Sequence, residues 1–96
     1  MATYVSTITF TEKGMKGIQE TCQRADEFRA TADKMGVNVR EILWTQGAID
    51  GLILFEAPDD KSAAAAMLKL NVAGNVHTQT SRAYNATEMQ QILSKV

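Results

Sequence analysis

Ninety-six residues make one small domain spanning 1–96, with no room for a separate catalytic unit and with a core modest enough that pairing with a second chain would help it. A content of 45% hydrophobic residues with six Gly and one Pro excludes a disordered or collagen-like chain, and a net charge of -1 excludes the basic footprint on which binding to nucleic acid or an acidic membrane depends. One Cys and one His exclude an internal disulfide and a closed single-chain zinc site, and the absence of a secretory pattern or a long apolar run leads us to expect a cytoplasmic protein that does not enter a membrane.

Thr3 to Phe10 is β-branched and aromatic with period-two alternation, which predicts a strand carrying Tyr4, Ile8 and Phe10 on one face and Val5 on the other. Thr11 then supplies a hydroxyl N-cap. Met15, Ile18, Cys22, Ala25, Phe28, Ala32 and Met35 recur at helical spacing until Gly36, so a single long amphipathic helix is expected, with Cys22 inside its apolar stripe. Lys16, Glu20, Arg24, Glu27 and Asp33 form its solvated side. Val37 to Thr45 and Ala48 to Ala57 read as two strands joined at Gln46-Gly47, where Gly47 takes a positive φ. The second of these places Ile49, Ile53 and Phe55 on one face and Leu52 and Leu54 on the other, so both of its faces need cover. Pro58 stops it and Asp59 caps a helix over Lys61 to Val72 that ends at Gly74-Asn75. Val76 to Tyr84 alternates as a last strand. Asn85 and Glu88 form a capping box for a terminal helix with Met89, Ile92, Leu93 and Val96 on one stripe.

The order β-α-β-β-α-β plus a helix predicts an α+β, ferredoxin-like domain with an antiparallel sheet in the order 4-1-3-2. Two helices cover one face of such a sheet, and the cheapest cover for the other is a second copy. Back-to-back packing about a two-fold axis would give a dimeric α+β barrel with a cavity between sheet and partner.

The segments Thr11 to Gly14, Gly47-Ala48-Ile49-Asp50, Glu56-Ala57-Pro58-Asp59-Asp60, Gly74-Asn75-Val76 and Thr80 to Ala83 together resemble the GYD domain family of small bacterial proteins. The resemblance covers most of the chain. It implies a ferredoxin-like subunit of a dimeric α+β barrel, and it implies no chemistry. Where the family's name refers to a Gly-x-Tyr-Asp-like segment, this chain keeps Gly47 and Asp50 and has Ile49 in place of the phenol.

Strand ends bring the chemistry-bearing side chains to one rim. Asp50 and His77 begin strands three and four, and the ends of strands one and two add Phe10 and Trp44, so these four are the candidate ligand-binding residues. The plainer reading of Asp50, beside a turn, is an anchor for hairpin backbone. At the opposite rim Tyr4, Arg40, Glu56 and Arg82 are expected to meet as a structural ion pair. No phosphate loop, Cys-x-x-Cys or His-Glu-x-x-His is present, and no cofactor or metal is expected. The expected function is therefore small-molecule binding in the cavity of a homodimer, as a sensor or carrier. The alternative is a cofactor-free oxygenase or isomerase with His77 as catalytic base, with haem ligation by His77 as a variant. A third class is a regulatory module that binds a partner protein.

Overall fold

A computed structural model describes residues 1–96. Strand β1 (Ala2–Phe10) is followed by a short helix α1 (Glu12–Lys16), a 3-10 turn (Ile18–Glu20) and α2 (Thr21–Lys34). Then come β2 (Asn38–Trp44), β3 (Gly51–Ala57), α3 (Asp60–Val72), β4 (Val76–Ala83) and α4 (Ala86–Leu93). The sheet runs β2-β3-β1-β4, antiparallel at every pairing, which is the α+β, ferredoxin-like order expected.

Register assigns the two faces. Tyr4 lies opposite Phe55 and Arg82, Ser6 opposite Ile53 and Thr80, and Ile8 opposite Gly51 and Thr78, so all of these share the helix-covered face. Tyr4 and Phe55 stack with ring centroids 5.4 Å apart. With Phe28 and Ala32 of α2, Ala63, Ala66 and Met67 of α3, and Val37, they form a single core. The small residues of α3 let its backbone approach the sheet. Ser6 is the buried polar residue of this layer, and its hydroxyl is satisfied by Thr80 Oγ1 at 2.6 Å and Met67 Sδ at 3.1 Å. A bulge between Val39 and Glu41 brings both Val39 and Ile42 onto the core face, opposite Phe55 and Ile53.

Three expectations need correction. The long helix is broken at Gly17, because this weak helix former also has its carbonyl diverted to Arg24, whose Nη1 donates to it at 2.8 Å. The break rotates α2 relative to α1, and Cys22 is exposed rather than part of the apolar stripe. Strand β3 starts at Gly51, not Ala48. The preceding loop is closed on itself by Thr45, whose N–H donates to Asp50 O at 2.9 Å and whose hydroxyl donates to Ile49 O at 2.7 Å, so Ile49 sits outside the strand. Gly47 does adopt φ 139° there. At the far rim Glu56 meets Asn38 at 3.1 Å and Arg40 at 3.9 Å, while Arg82 turns away to stack over Tyr4 and Tyr84 and to pair with Glu88 at 3.4 Å.

All three predicted caps form, Thr11 Oγ1 accepting from the Gly14 N–H at 3.0 Å. Ser62 N–H donates to Asp59 Oδ1 at 2.8 Å, and this bond, aided by the Ser62 hydroxyl, lowers the Asp59 carboxyl below its ordinary value. Asn85 and Glu88 exchange side-chain and backbone bonds at the start of α4, and the Asn85 N–H lowers the Glu88 carboxyl likewise, with Arg82 adding to it. No helix is long and apolar enough to cross a membrane.

Candidate functional site

Helix α2 lies over β2 and α3 over β4 and β3, and the two do not close on each other along the rim where β1 ends. The gap between them is a cleft of about 280 Å³. Its floor is the core face of the sheet at Ile8, Ile42 and Ile53, and its walls are Ala25 and Phe28 from α2 and Leu70 and Ala73 from α3. Gly51 keeps the floor low. A Cβ there would stand 2.9 Å from the Leu43 carbonyl oxygen, so the close approach of β2 to β3 requires glycine.

Aromatic rings close the rim. Trp44, 45% exposed, is held by its indole N–H, which donates to Thr21 Oγ1 at 3.0 Å across from β2 to α2. Phe10 is held through its backbone N–H, which donates to Asp50 Oδ2 at 2.8 Å. Asp50 is itself fixed, since its N–H donates to Ile8 O at 2.8 Å and its carbonyl accepts from Thr45 N–H. Its carboxylate therefore acts as the backbone anchor expected of an Asp beside a turn, and it lines the cleft as well.

The remaining polar groups are Arg24, Glu27, Lys69, Thr31 and Asn75. Arg24 spends its guanidinium on Gly17 O and, at 3.4 Å, on Gly14 O, which staples α1 to α2. Lys69 makes no side-chain hydrogen bond or ion pair within the chain. The end of α3 is stitched to the start of α1. Thr11 N–H donates to Asn75 O at 3.0 Å, Thr11 Oγ1 to Gly74 O at 2.6 Å and Lys13 Nζ to Ala73 O at 2.7 Å. Those bonds satisfy helix-terminal carbonyls and set the position of the cleft's end wall.

Of the four candidate residues, the structure brings together Phe10, Trp44 and Asp50 and leaves out His77. The imidazole shares their rim, because Thr9 opposite His77 is adjacent to Phe10, but it belongs to the other face of the sheet. There it lines a second, more polar pocket of about 330 Å³ with Thr7, Thr9, Ala48, Ile49, Thr78 and Gln79. This cleft is on the helix side of the sheet, away from the face on which a partner sheet would pack. Thr21, Arg24, Phe28 and Thr31 join the site without having been expected from the sequence. Their spacing of three, four and three residues marks one helical face that mixes polar and apolar side chains, and that was the available signal. No cluster of three His, Cys, Asp or Glu side chains is placed to hold a metal ion.

No curated protein matches the sequence. Among solved structures, the chain is similar to the C-terminal domain of the MgtC protein from Mycobacterium tuberculosis, at 11% identity and a TM-score of 0.49 over 88% of each chain. The family model of the GYD domain matches residues 4–93, which takes in all four helices and every strand except the first two residues of β1. The chain belongs to the GYD domain family.

Proposed function

We propose that the protein is a homodimer that binds a small, largely apolar molecule in the cleft between α2, α3 and the sheet of each subunit, as a sensor or carrier. One observation carries this reading: Phe10, Phe28 and Trp44 converge on about 280 Å³ that the chain's own side chains do not fill. The cleft is open to solvent, so its apolar walls stay wet until a ligand covers them. A ligand placed there removes aromatic and aliphatic surface from water at about 25 cal/mol per Å². The volume sits at the lower end of small-molecule pockets, which suits a ligand of one or two rings.

Trp44 is the one tryptophan, so its fluorescence reports directly on the cleft. Titration with uncharged aromatic compounds should give a saturable change in its emission. A ligand at a hundredfold excess over its dissociation constant should raise stability by about 2.7 kcal/mol. Ala25→Phe, which fills the cleft from α2 without adding a second indole, should abolish both effects. A panel that leaves the Trp44 emission unchanged overturns the reading.

The dimer is proposed on separate grounds. The sheet face away from the helices carries Val5, Leu52, Leu54 and Leu43 side by side. The accessible surface is 6335 Å², about 900 Å² more than the ~5,400 Å² expected of a folded monomer of 10.5 kDa. Catalysis with His77 as base draws no support from the cleft, because the imidazole opens onto the opposite face.

A further inference from the structure

Resting on the cleft as a binding site, we infer that its ligand is an uncharged aromatic molecule bearing a hydroxyl or N–H donor, and that the donor is recognised by Asp50. The carboxylate of Asp50 is positioned before any ligand arrives. Its backbone is bonded on both sides, to Ile8 O and from Thr45 N–H, and Oδ2 is committed to the Phe10 N–H at 2.8 Å. Oδ1 accepts no hydrogen bond, and no Lys or Arg forms an ion pair with the group. A half-buried carboxylate on the wall of an apolar cleft, with one oxygen fixed and the other free, is an acceptor with a preset direction.

Charge selects against an ionic ligand. The charged side chains of the cleft are Arg24 and Lys69 against Glu27 and Asp50, so its formal charge is zero. The Arg24 guanidinium is committed to backbone carbonyls, and the Lys69 ammonium is exposed at the mouth, where water competes with any anion. A neutral donor on Asp50 loses less hydration on entering the cleft than a carboxylate or ammonium would. The rings of Phe10, Phe28 and Trp44 supply the walls for a flat aromatic skeleton.

The test compares three probes on one skeleton: 2-naphthol, 2-methoxynaphthalene, which keeps the oxygen and loses the donor, and 2-naphthoate, which is an anion. Dissociation constants come from Trp44 emission and from the shift of its indole N–H resonance. In the unmodified protein 2-naphthol should bind roughly tenfold to a hundredfold more tightly than 2-methoxynaphthalene, the range of a hydrogen bond to a charged acceptor. In Asp50→Asn the amide oxygen can keep the Phe10 N–H while an NH₂ replaces the free oxygen; that NH₂ can donate to the oxygen of either probe, so the preference for 2-naphthol should be lost. Thermal melting of the variant checks that it folds, and the comparison in the unmodified protein stands without it. Equal binding of 2-naphthol and 2-methoxynaphthalene overturns the donor assignment and leaves the cleft as a site. Tightest binding by 2-naphthoate overturns it in favour of an anion held by Lys69. Failure of all three probes to bind overturns the cleft reading itself.

Discussion

Gly14 is buried where α1 crosses the end of α3, and a Cβ added there would overlap the carbonyl oxygen of Asn75, which already accepts from Thr11 N–H. Backbone is the obstacle, so relief requires a shift of the stitched loop. Gly14→Ala should cost about 1–3 kcal/mol, the usual range for overpacking, as read from the denaturant midpoint. Asp59 makes a prediction about pH. Its carboxyl in the folded protein is lowered from its ordinary value of 3.8 by the Ser62 N–H and hydroxyl. The charged cap's contribution is therefore fully present above the ordinary value and is lost as the pH falls through the lowered one. Asp59→Asn keeps a non-titrating acceptor for Ser62, so its stability should fall less steeply on the acid side while running parallel to the unmodified protein above about pH 5. An unchanged acid slope would show that the cap's charge plays no part. At this scale the sequence was informative about local chemistry: Asp59, Asn85 and Asp50 each do what a short polar side chain beside a helix start or turn does. It was silent about Cys22, whose exposure depends on a helix break five residues earlier.

Among the elements, the strands were legible because alternation is a property of each strand alone, and the sheet order followed from their sequence. The helix after β1 was not. Its apolar spacing from Met15 to Met35 continues across Gly17, and the signal for the break lies in the Arg24 side chain that claims the Gly17 carbonyl from two turns further on. The start of β3 was illegible for a similar reason, since Thr45 and Asp50 close the loop with bonds that no local propensity encodes. Helix α4 poses the sharpest question of this kind. It spans eight residues, a length at which an isolated helix is marginal in water, and its Met89 and Leu93 are exposed. Arg82 ties it to the sheet by donating to Thr3 O and Glu88 while stacking between Tyr4 and Tyr84. Arg82→Ala should therefore speed hydrogen exchange of the α4 amides several-fold and leave those of β1 and β3 unchanged. Equal protection in both proteins would assign α4's order to its capping box alone.

At the scale of the molecule, the extents of 48 × 31 × 17 Å describe a plate one sheet and one helix layer thick, and only 14 of 96 residues are buried, nearly all on the helix side. The demand for cover on both faces of β3 was legible from Leu52 and Leu54 alternating with Ile53 and Phe55. The place of the cleft was not, because it depends on how far apart α2 and α3 settle on the sheet, and spacing between helices leaves no mark on either one's periodicity. The open face bears on the proposed dimer most directly. Leu52 lies opposite Leu43 and Thr7, and Leu54 lies opposite Val5 and Glu41, so the apolar patch crosses three strands in the middle of the sheet. Leu52 and Leu54 are already half-buried within the subunit, so covering the rest of each against a partner contributes up to about 1.5 kcal/mol per leucine, appreciable beside a whole-domain stability of about 5–15 kcal/mol. The unmodified protein should sediment at about twice 10.5 kDa at micromolar concentration. Leu52→Asp places a carboxylate against the facing sheet with no counter-charge and should shift the protein to monomer or unfold it. Leu52→Ser, which removes the apolar contact without introducing charge, should raise the dimer dissociation constant while the subunit stays folded. Leu68→Asp, on the outer side of α3 and already 65% exposed, should leave the assembly unchanged. A monodisperse monomer for the unmodified protein would sink the dimer, and a dimer unaffected by both Leu52 substitutions would place its interface elsewhere than on this sheet.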